Sequence, residues 1–214
     1  MYLEPRLKGF LYADGWATYN KAGQYYEVGF QQSISKSSIY KYYRDKLLSI
    51  HKGYYKERLR NNKLEIKIYS KKIYTILVDV KRNPIKYFYE NPIEFLAGLT
   101  DGDGSIMDTE IAIYDCNKAL LNTICTFLKE NMIRCRVNPC RSIWRIRIRG
   151  RESIEKFLTL IPVITRKNNP HVPRVKPRRL NRGGPCRGPE YHGLDLPWEA
   201  GSHRLPRLNT SRDR

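Results

Sequence analysis

The sequence predicts an α+β fold made of two pseudo-symmetric αββαββα halves with antiparallel sheets. Two observations carry this. A short motif occurs twice, as Leu7-Lys8-Gly9-Phe10-Leu11-Tyr12-Ala13-Asp14-Gly15 and as Leu96-Ala97-Gly98-Leu99-Thr100-Asp101-Gly102-Asp103-Gly104. The stretches after the two copies then change hydrophobic period in the same order: hairpin, helix, hairpin, helix.

In the first half, Pro5 opens a helix that Gly15 ends. Residues 24–34 read as a strand. Residues 36–50 read as a helix with Ile39, Tyr43 and Leu47 on one face. Asn61-Asn62 is a tight turn between strands over 54–60 and 63–69, and residues 71–80 form the closing helix. The second half begins at Asn91-Pro92, a helix cap followed by a first-turn proline. Ile93, Leu96, Ala97 and Thr100 follow at helical spacing, and Gly104 suits the end of that helix. A helix over 117–132 follows, then a hairpin of 133–137 and 143–149 across Asn138-Pro139-Cys140-Arg141, then a helix over 151–164. Leu47-Leu48 corresponds to Phe127-Leu128, and Ile66-Lys67-Ile68 to Ile146-Arg147-Ile148. We therefore divide the chain into a first half (1–90), a second half (91–170) and a basic Pro/Gly-rich tail (171–214). The tail has no repeat counterpart and reads as flexible, adding sequence-independent phosphate affinity.

The hairpin strands alternate apolar and cationic residues. Ile146 and Ile148 face inward, while Arg145, Arg147 and Arg149 face outward together. Ile133, Cys135 and Val137 likewise oppose Arg134, Arg136 and Asn138. In the first half Leu64, Ile66 and Ile68 oppose Glu65, Lys67 and Tyr69, and Lys56, Arg58 and Arg60 share a face. A solvated sheet face ordinarily mixes signs, because like charges opposite one another destabilise a ladder. The arginines of 134–149 have no acid among them and read as a nucleic-acid surface. Glu57 falls on the inward face of its strand, and the sequence offers no reason for it.

The motif contains two anomalies. A glycine inside a helix costs about 1 kcal/mol relative to alanine, so Gly9 and Gly98 call for a close approach of two helix backbones, an interface between the halves. Asp14 and Asp103 sit at helix C-termini, where the dipole opposes a negative charge by about 0.3–1 kcal/mol. If the helices pack side by side, the two carboxylates meet at one end and repel unless a cation lies between them. Oxygen ligands of this kind suit Mg²⁺.

These residues resemble the signature of the LAGLIDADG homing endonucleases in their two-motif, single-chain form, and the chain is similar to the compact members encoded in archaeal ribosomal-RNA introns. The likeness covers about residues 3–170, with Lys8 and Tyr12 as departures. It implies a pseudo-twofold axis and a DNA-binding saddle whose sheets lie in the major groove. The acids then act across the minor groove, and cleavage leaves short 3′ overhangs and promotes intron mobility. It implies Asp14 and Asp103 as catalytic, metal-binding acids, the carbonyls of Ala13 and Gly102 as further ligands, and Mg²⁺ as cofactor, which Mn²⁺ can replace. It implies a basic residue after the last helix of each half, for which we take Lys167 and either Arg82 or Lys81. It also implies a polar residue, often Gln, at the end of the second strand to position water. Ser35 and Asp115 hold that place, with Gln32 nearby, so the role stays unassigned. The expected DNA-contacting residues are Gln31, Gln32, Ser33, Lys36, Lys56, Arg58, Lys67, Arg134, Arg136, Arg145, Arg147 and Arg149.

Composition agrees. The chain has 214 residues and a formal net charge of +19, which calls for a polyanionic partner. No apolar run approaches the roughly 20 residues of a membrane span, and the N-terminus has no signal-peptide core. The five cysteines (Cys116, Cys125, Cys135, Cys140, Cys186) lack CxxC spacing and read as thiols of an intracellular protein. His51, His171, His192 and His203 are isolated and receive no role. The expected function is Mg²⁺-dependent cleavage of a double-stranded DNA site by a monomer. The alternatives are an RNA-binding intron maturase, with its own intron RNA as partner, and a non-catalytic DNA-binding regulator. Paired carboxylates favour cleavage, since pure binders have no need of them.

Overall fold

The computed structural model describes residues 2–164. Lys167, the end of the second half and the tail lie outside the described residues. The first unit runs α1 (Pro5–Asp14), β1 (Gly15–Asn20), β2 (Tyr25–Ser33), a 3₁₀ turn (Ile34–Lys36), α2 (Ser37–Ile50), β3 (Tyr55–Arg60), β4 (Lys63–Tyr69) and α3 (Lys71–Arg82). A short helix, α4 (Pro84–Glu90), leads into the second unit. That unit comprises α5 (Pro92–Asp103), β5 (Gly104–Ile106), β6 (Glu110–Asp115), α6 (Lys118–Glu130), β7 (Cys135–Cys140), β8 (Ile143–Arg149) and α7 (Arg151–Leu160). Each unit holds one antiparallel four-stranded sheet, in the orders β1-β2-β4-β3 and β5-β6-β8-β7.

Local chemistry sets these boundaries. Ser70, Asn91 and Asn117 cap α3, α5 and α6 by accepting from the Ile73, Glu94 and Leu120 N–H groups. Asn61 and Asn62 both take positive φ, as a two-residue hairpin turn requires. Apolar side chains of each sheet pack on the helices: Val28, Phe30, Ile66 and Ile68 in one half, Ile111, Ile113, Ile146 and Ile148 in the other, all fully buried. The opposite faces of the two sheets remain open.

Four details differ from the sequence reading. Helix α4 is not among the elements the sequence predicts, because seven residues are too few to show a helical period. Its Phe88 is fully buried against Phe95 and Phe127. Strand β7 runs on to Cys140 through Pro139, with the turn at Arg141. Helix α7 ends at Leu160, short of 164. Cys125 and Cys135 are joined as a disulfide, where thiols were expected.

The departures from the motif have partners. Lys8 is buried, donates to Glu90 at 2.6 Å and lies over the Tyr87 ring, so it answers α4, which has no counterpart after α7 among the described residues. The Tyr12 hydroxyl donates to Asp115 at 3.3 Å. Glu57 is held by the Tyr40 hydroxyl at 2.7 Å, which accounts for an acid on an inward position. Asp101 crosses the other way, into the first half. It accepts from Arg6 at 2.9 Å, from the Tyr43 hydroxyl at 2.6 Å and from the Ile164 N–H at 2.6 Å. Tyr43→Phe removes the hydroxyl that donates to this buried carboxylate and accepts from Arg6 Nε at 3.2 Å, without emptying the site. It should cost about 1.5–3 kcal/mol, read as a lower melting temperature with DNA binding intact.

Candidate metal centre and nucleic-acid interface

Helices α1 and α5 lie against one another, and glycine sets their distance. A Cβ on Gly9 would fall 2.1 Å from the Phe95 carbonyl oxygen; one on Gly98 would fall 2.0 Å from the Arg6 oxygen and 2.7 Å from the Phe10 nitrogen. One turn further on, a Cβ on Gly102 would meet the Ala13 Cβ at 2.6 Å and Asp14 Oδ2 at 3.0 Å. The helices are therefore in backbone contact at Gly9 and Gly98 and stay close as far as their last residues, which are Asp14 and Asp103. Both acids are half-buried.

Their electrostatics follow from that placement. Burial first, then the charges of Asp14 and Asp115, push Asp103 up to about 7; Lys36 and Lys81 offset this in part. Burial also raises Asp14, against the pull of Lys36, the Gln32 amide and Lys81. Asp115 is raised by burial too. Lys36 Nζ donates to the Gly102 carbonyl at 3.0 Å, and Lys81 Nζ to the Tyr12 carbonyl at 2.9 Å. Burial lowers Lys81, opposed by Asp103, Asp115 and Asp14.

The strand register assigns the group beside Asp14. Gly15 pairs with Phe30 and Gly104 with Ile113, so Gln32 and Asp115 occupy equivalent places. Gln32 is buried and its Nε2 donates to Asp14 Oδ2. This corrects two expectations. Gln32 lies under the sheet, not on its DNA-facing side, and Ser35 is an exposed residue of the 3₁₀ turn, paired with Ser33. The signal was present in the sequence: Val28 and Phe30 point inward, so period two places Gln32 inward as well. The basic residue at the centre is Lys81; Arg82 is exposed. Lys36, expected on the DNA face, reaches into the centre instead. Lys167 lies outside the described residues.

The donor set suits a divalent cation. Among the described residues no cluster of three or more His, Cys, Asp or Glu stands ready for a metal. What the helix ends offer is two carboxylates with too little positive charge around them, beside the Ala13 and Gly102 carbonyls. Hard oxygens in this arrangement fit Mg²⁺ or Mn²⁺ and not zinc.

On the open sheet faces, Gln31, Ser33, Lys56, Arg58, Arg136 and Arg149 are exposed; Arg134, expected in a strand, is exposed in the segment just before β7. Arg58 is bonded to Glu65 at 2.8 Å and Lys67 to Glu27 at 2.8 Å. Arg145 is half-buried, and its Nε has no hydrogen-bond partner among the described residues. The second cluster does contain an acid, contrary to the reading of its two strands alone: Glu110, on neighbouring β6, accepts from both Arg147 and Arg149.

Residues 90–162 match the family model described as the LAGLIDADG-like domain. The chain thus contains a LAGLIDADG-like domain. Its described part is a two-motif, single-chain LAGLIDADG fold, with the two motifs at the ends of α1 and α5. The structure is similar to one of the mesophilic variants from the homing endonuclease I-DmoI, with a TM-score of 0.61 and 19% identity, covering 75% of this chain and 95% of that one. It is similar to I-DmoI in complex with DNA and Mn, with a TM-score of 0.59 and 20% identity over 75% and 96% of the two chains. It is also similar to the LAGLIDADG meganuclease I-AabMI bound to uncleaved DNA, with a TM-score of 0.53 and 12% identity over 77% and 86%. At these identities the likeness is one of fold. No curated protein matches the sequence, and among the described residues no helix is long and apolar enough to cross a membrane.

Proposed function

We propose that this protein is a site-specific endonuclease of double-stranded DNA that works with Mg²⁺, or Mn²⁺ in its place, and cuts as a monomer. One observation carries the reading: Asp14 and Asp103 end two helices in backbone contact and share a centre short of positive charge. A protein that only bound DNA would gain nothing from two raised carboxylates facing a polyanion. Duplex DNA seats on the two open sheet faces, with base edges read from the outward side chains.

Asp14 and Asp103, with the Ala13 and Gly102 carbonyls, would hold the metal. When bound, the metal supplies Lewis-acid polarisation of the phosphate and favours hydroxide over water. Gln32 donates through Nε2 to Asp14, which leaves its amide oxygen to accept from the attacking water and fix its direction. Asp115 stands in the same place of the other half, bonded by the Tyr12 hydroxyl and the Asn117 N–H at 2.6 Å, so the two strands are cut by different second groups. Lys36 and Lys81 bring positive charge to the phosphate and its leaving 3′ oxygen. We take the products to be a 5′ phosphate and a 3′ hydroxyl on short 3′ overhangs, made at the intron-free copy of the gene to promote intron mobility.

Incubation of the full chain with intron-free DNA and Mg²⁺ should give two cleaved ends of the stated chemistry. Binding without cleavage in both Mg²⁺ and Mn²⁺ overturns the proposal in favour of a regulator. Gln32→Leu should slow cleavage by about 10²–10³-fold while changing DNA affinity less than about threefold, since it removes the water-positioning amide and its bond to Asp14 but nothing from the DNA-facing side of the sheet. Single-turnover rates measure this.

A further inference from the structure

The outer faces of the two sheets repeat one pair of residues. Phe30 pairs with Gly15 and Ile66, and Ile113 pairs with Gly104 and Ile146. Counting along the strands from these anchors, Glu27 corresponds to Glu110 and Lys67 to Arg147. In the first sheet Lys67 Nζ lies 2.8 Å from Glu27 Oε1. In the second, Arg147 donates to Glu110 Oε2 from Nη2 at 2.7 Å and from Nε at 3.0 Å. The acid side chains are only 15% and 9% exposed.

An acid on a face that receives a polyanion weakens binding, because it repels phosphate and cancels a cation. A partly exposed ion pair adds little stability in return. The same acid at the same place in both halves therefore needs another reason. We infer that Glu27 and Glu110 are positioning residues for sequence reading, which aim Lys67 and Arg147 at guanine at equivalent positions of the two half-sites. This rests on the DNA-binding reading above.

The geometry supports this role. Glu110 takes up one edge of the Arg147 guanidinium, through Nε and Nη2. Nη1 and the second Nη2 hydrogen are left at the far end, and that two-pronged donor matches guanine O6 and N7. A guanidinium already held in place loses less freedom on binding. Arg149 Nε also donates to Glu110, at 2.6 Å, while its side chain stays 64% exposed and free to meet phosphate.

The first sheet reaches the same end with different parts. Lys67 lies over the Trp16 ring, and Trp16 Nε1 donates to Glu27 at 3.2 Å. Gly29 makes room for that ring, since a Cβ there would fall 2.6 Å from it. Lysine offers a point charge in place of a fork, so its preference for guanine is looser.

The test is selection of bound sequences from a pool of random-sequence duplex DNA, in EDTA and at two salt concentrations, with the wild-type full chain, Glu110→Gln, Glu27→Gln and Arg147→Lys. The wild type should select guanine at two positions equidistant from the centre of its consensus. Glu110→Gln should keep the rest of the consensus but lose about five- to hundredfold of the preference at one of them, and should bind unrelated duplex as well as the wild type or better. Arg147→Lys should lose preference at that same position, and Glu27→Gln should weaken its mate by a smaller factor. A residue that merely supported the fold would lower the melting temperature and weaken all sequences alike, without moving one base preference. The inference is overturned if Glu110→Gln keeps every wild-type preference or weakens all of them equally. A wild-type protein that selects no consensus overturns the DNA-reading function itself, and this inference with it.

Discussion

Asp103→Asn should abolish double-strand cleavage, by about a thousandfold or more given the several kcal/mol that a metal site supplies, while leaving DNA binding within a few fold. Asp14→Asn should do the same, because both acids belong to one centre. The same variants should change stability in the opposite sense. In the metal-free protein the two carboxylates are crowded and Asp103 stands at about 7, against about 4 in an unfolded chain. The folded state thus binds this proton more tightly than the unfolded one. Its contribution is fully present below about pH 4 and is lost as pH rises to about 7. Between pH 5 and pH 8 without metal, the wild-type melting temperature should therefore fall more than that of Asp103→Asn. Adding Mg²⁺ at pH 8 should raise the wild-type melting temperature and have little effect on the variant. Calorimetry with and without EDTA reads both effects, and a variant that still cleaves removes Asp103 from the centre.

Gly98→Ala should destabilise the protein by about 3 kcal/mol or more, or roughly 6–12 °C in melting temperature for a chain of this size. The substitution improves helix propensity by about 1 kcal/mol, so an ordinary helical glycine would give the opposite sign. Here the added methyl falls 2.0 Å from the Arg6 carbonyl oxygen, a backbone atom that cannot rotate aside. Relief requires α1 and α5 to separate, which also parts Asp14 from Asp103. Cleavage should then fall more steeply than stability alone accounts for, when both are measured at a temperature where the variant remains folded. A melting temperature at or above the wild-type value means the helices do not touch there.

The elements were legible because each is announced locally. The cap at Asn91, the Asn61-Asn62 turn and the alternation over 144–149 fix helices and strands within a few residues of where they lie. The motif glycines and acids announced themselves as conflicts with helix propensity and helix dipole. Helix α4 was missed because its Phe88 makes sense only against Phe95 and Phe127, which other stretches supply. Lys81 and Arg82 are neighbours with the same chemistry, and only the rotation of α3 decides that the first points at the Tyr12 carbonyl and the second at solvent. Gln32 could have been placed from the period of its own strand, but nothing in that strand says that Asp14 is what it meets.

The sequence by itself thus determined the duplicated architecture, the helix ends that carry Asp14 and Asp103, and the cationic faces of the sheets. These depend on period, composition and repetition along the chain. The tertiary structure alone decided which side chains share the centre: Gln32 from β2, Lys36 from the turn after it, Lys81 from α3 and Asp115 from β6. It alone placed Glu27 and Glu110 under Lys67 and Arg147. These groups come from separate elements whose distances are set by how closely two helices approach and how each strand is registered against its neighbour. No local pattern encodes either quantity.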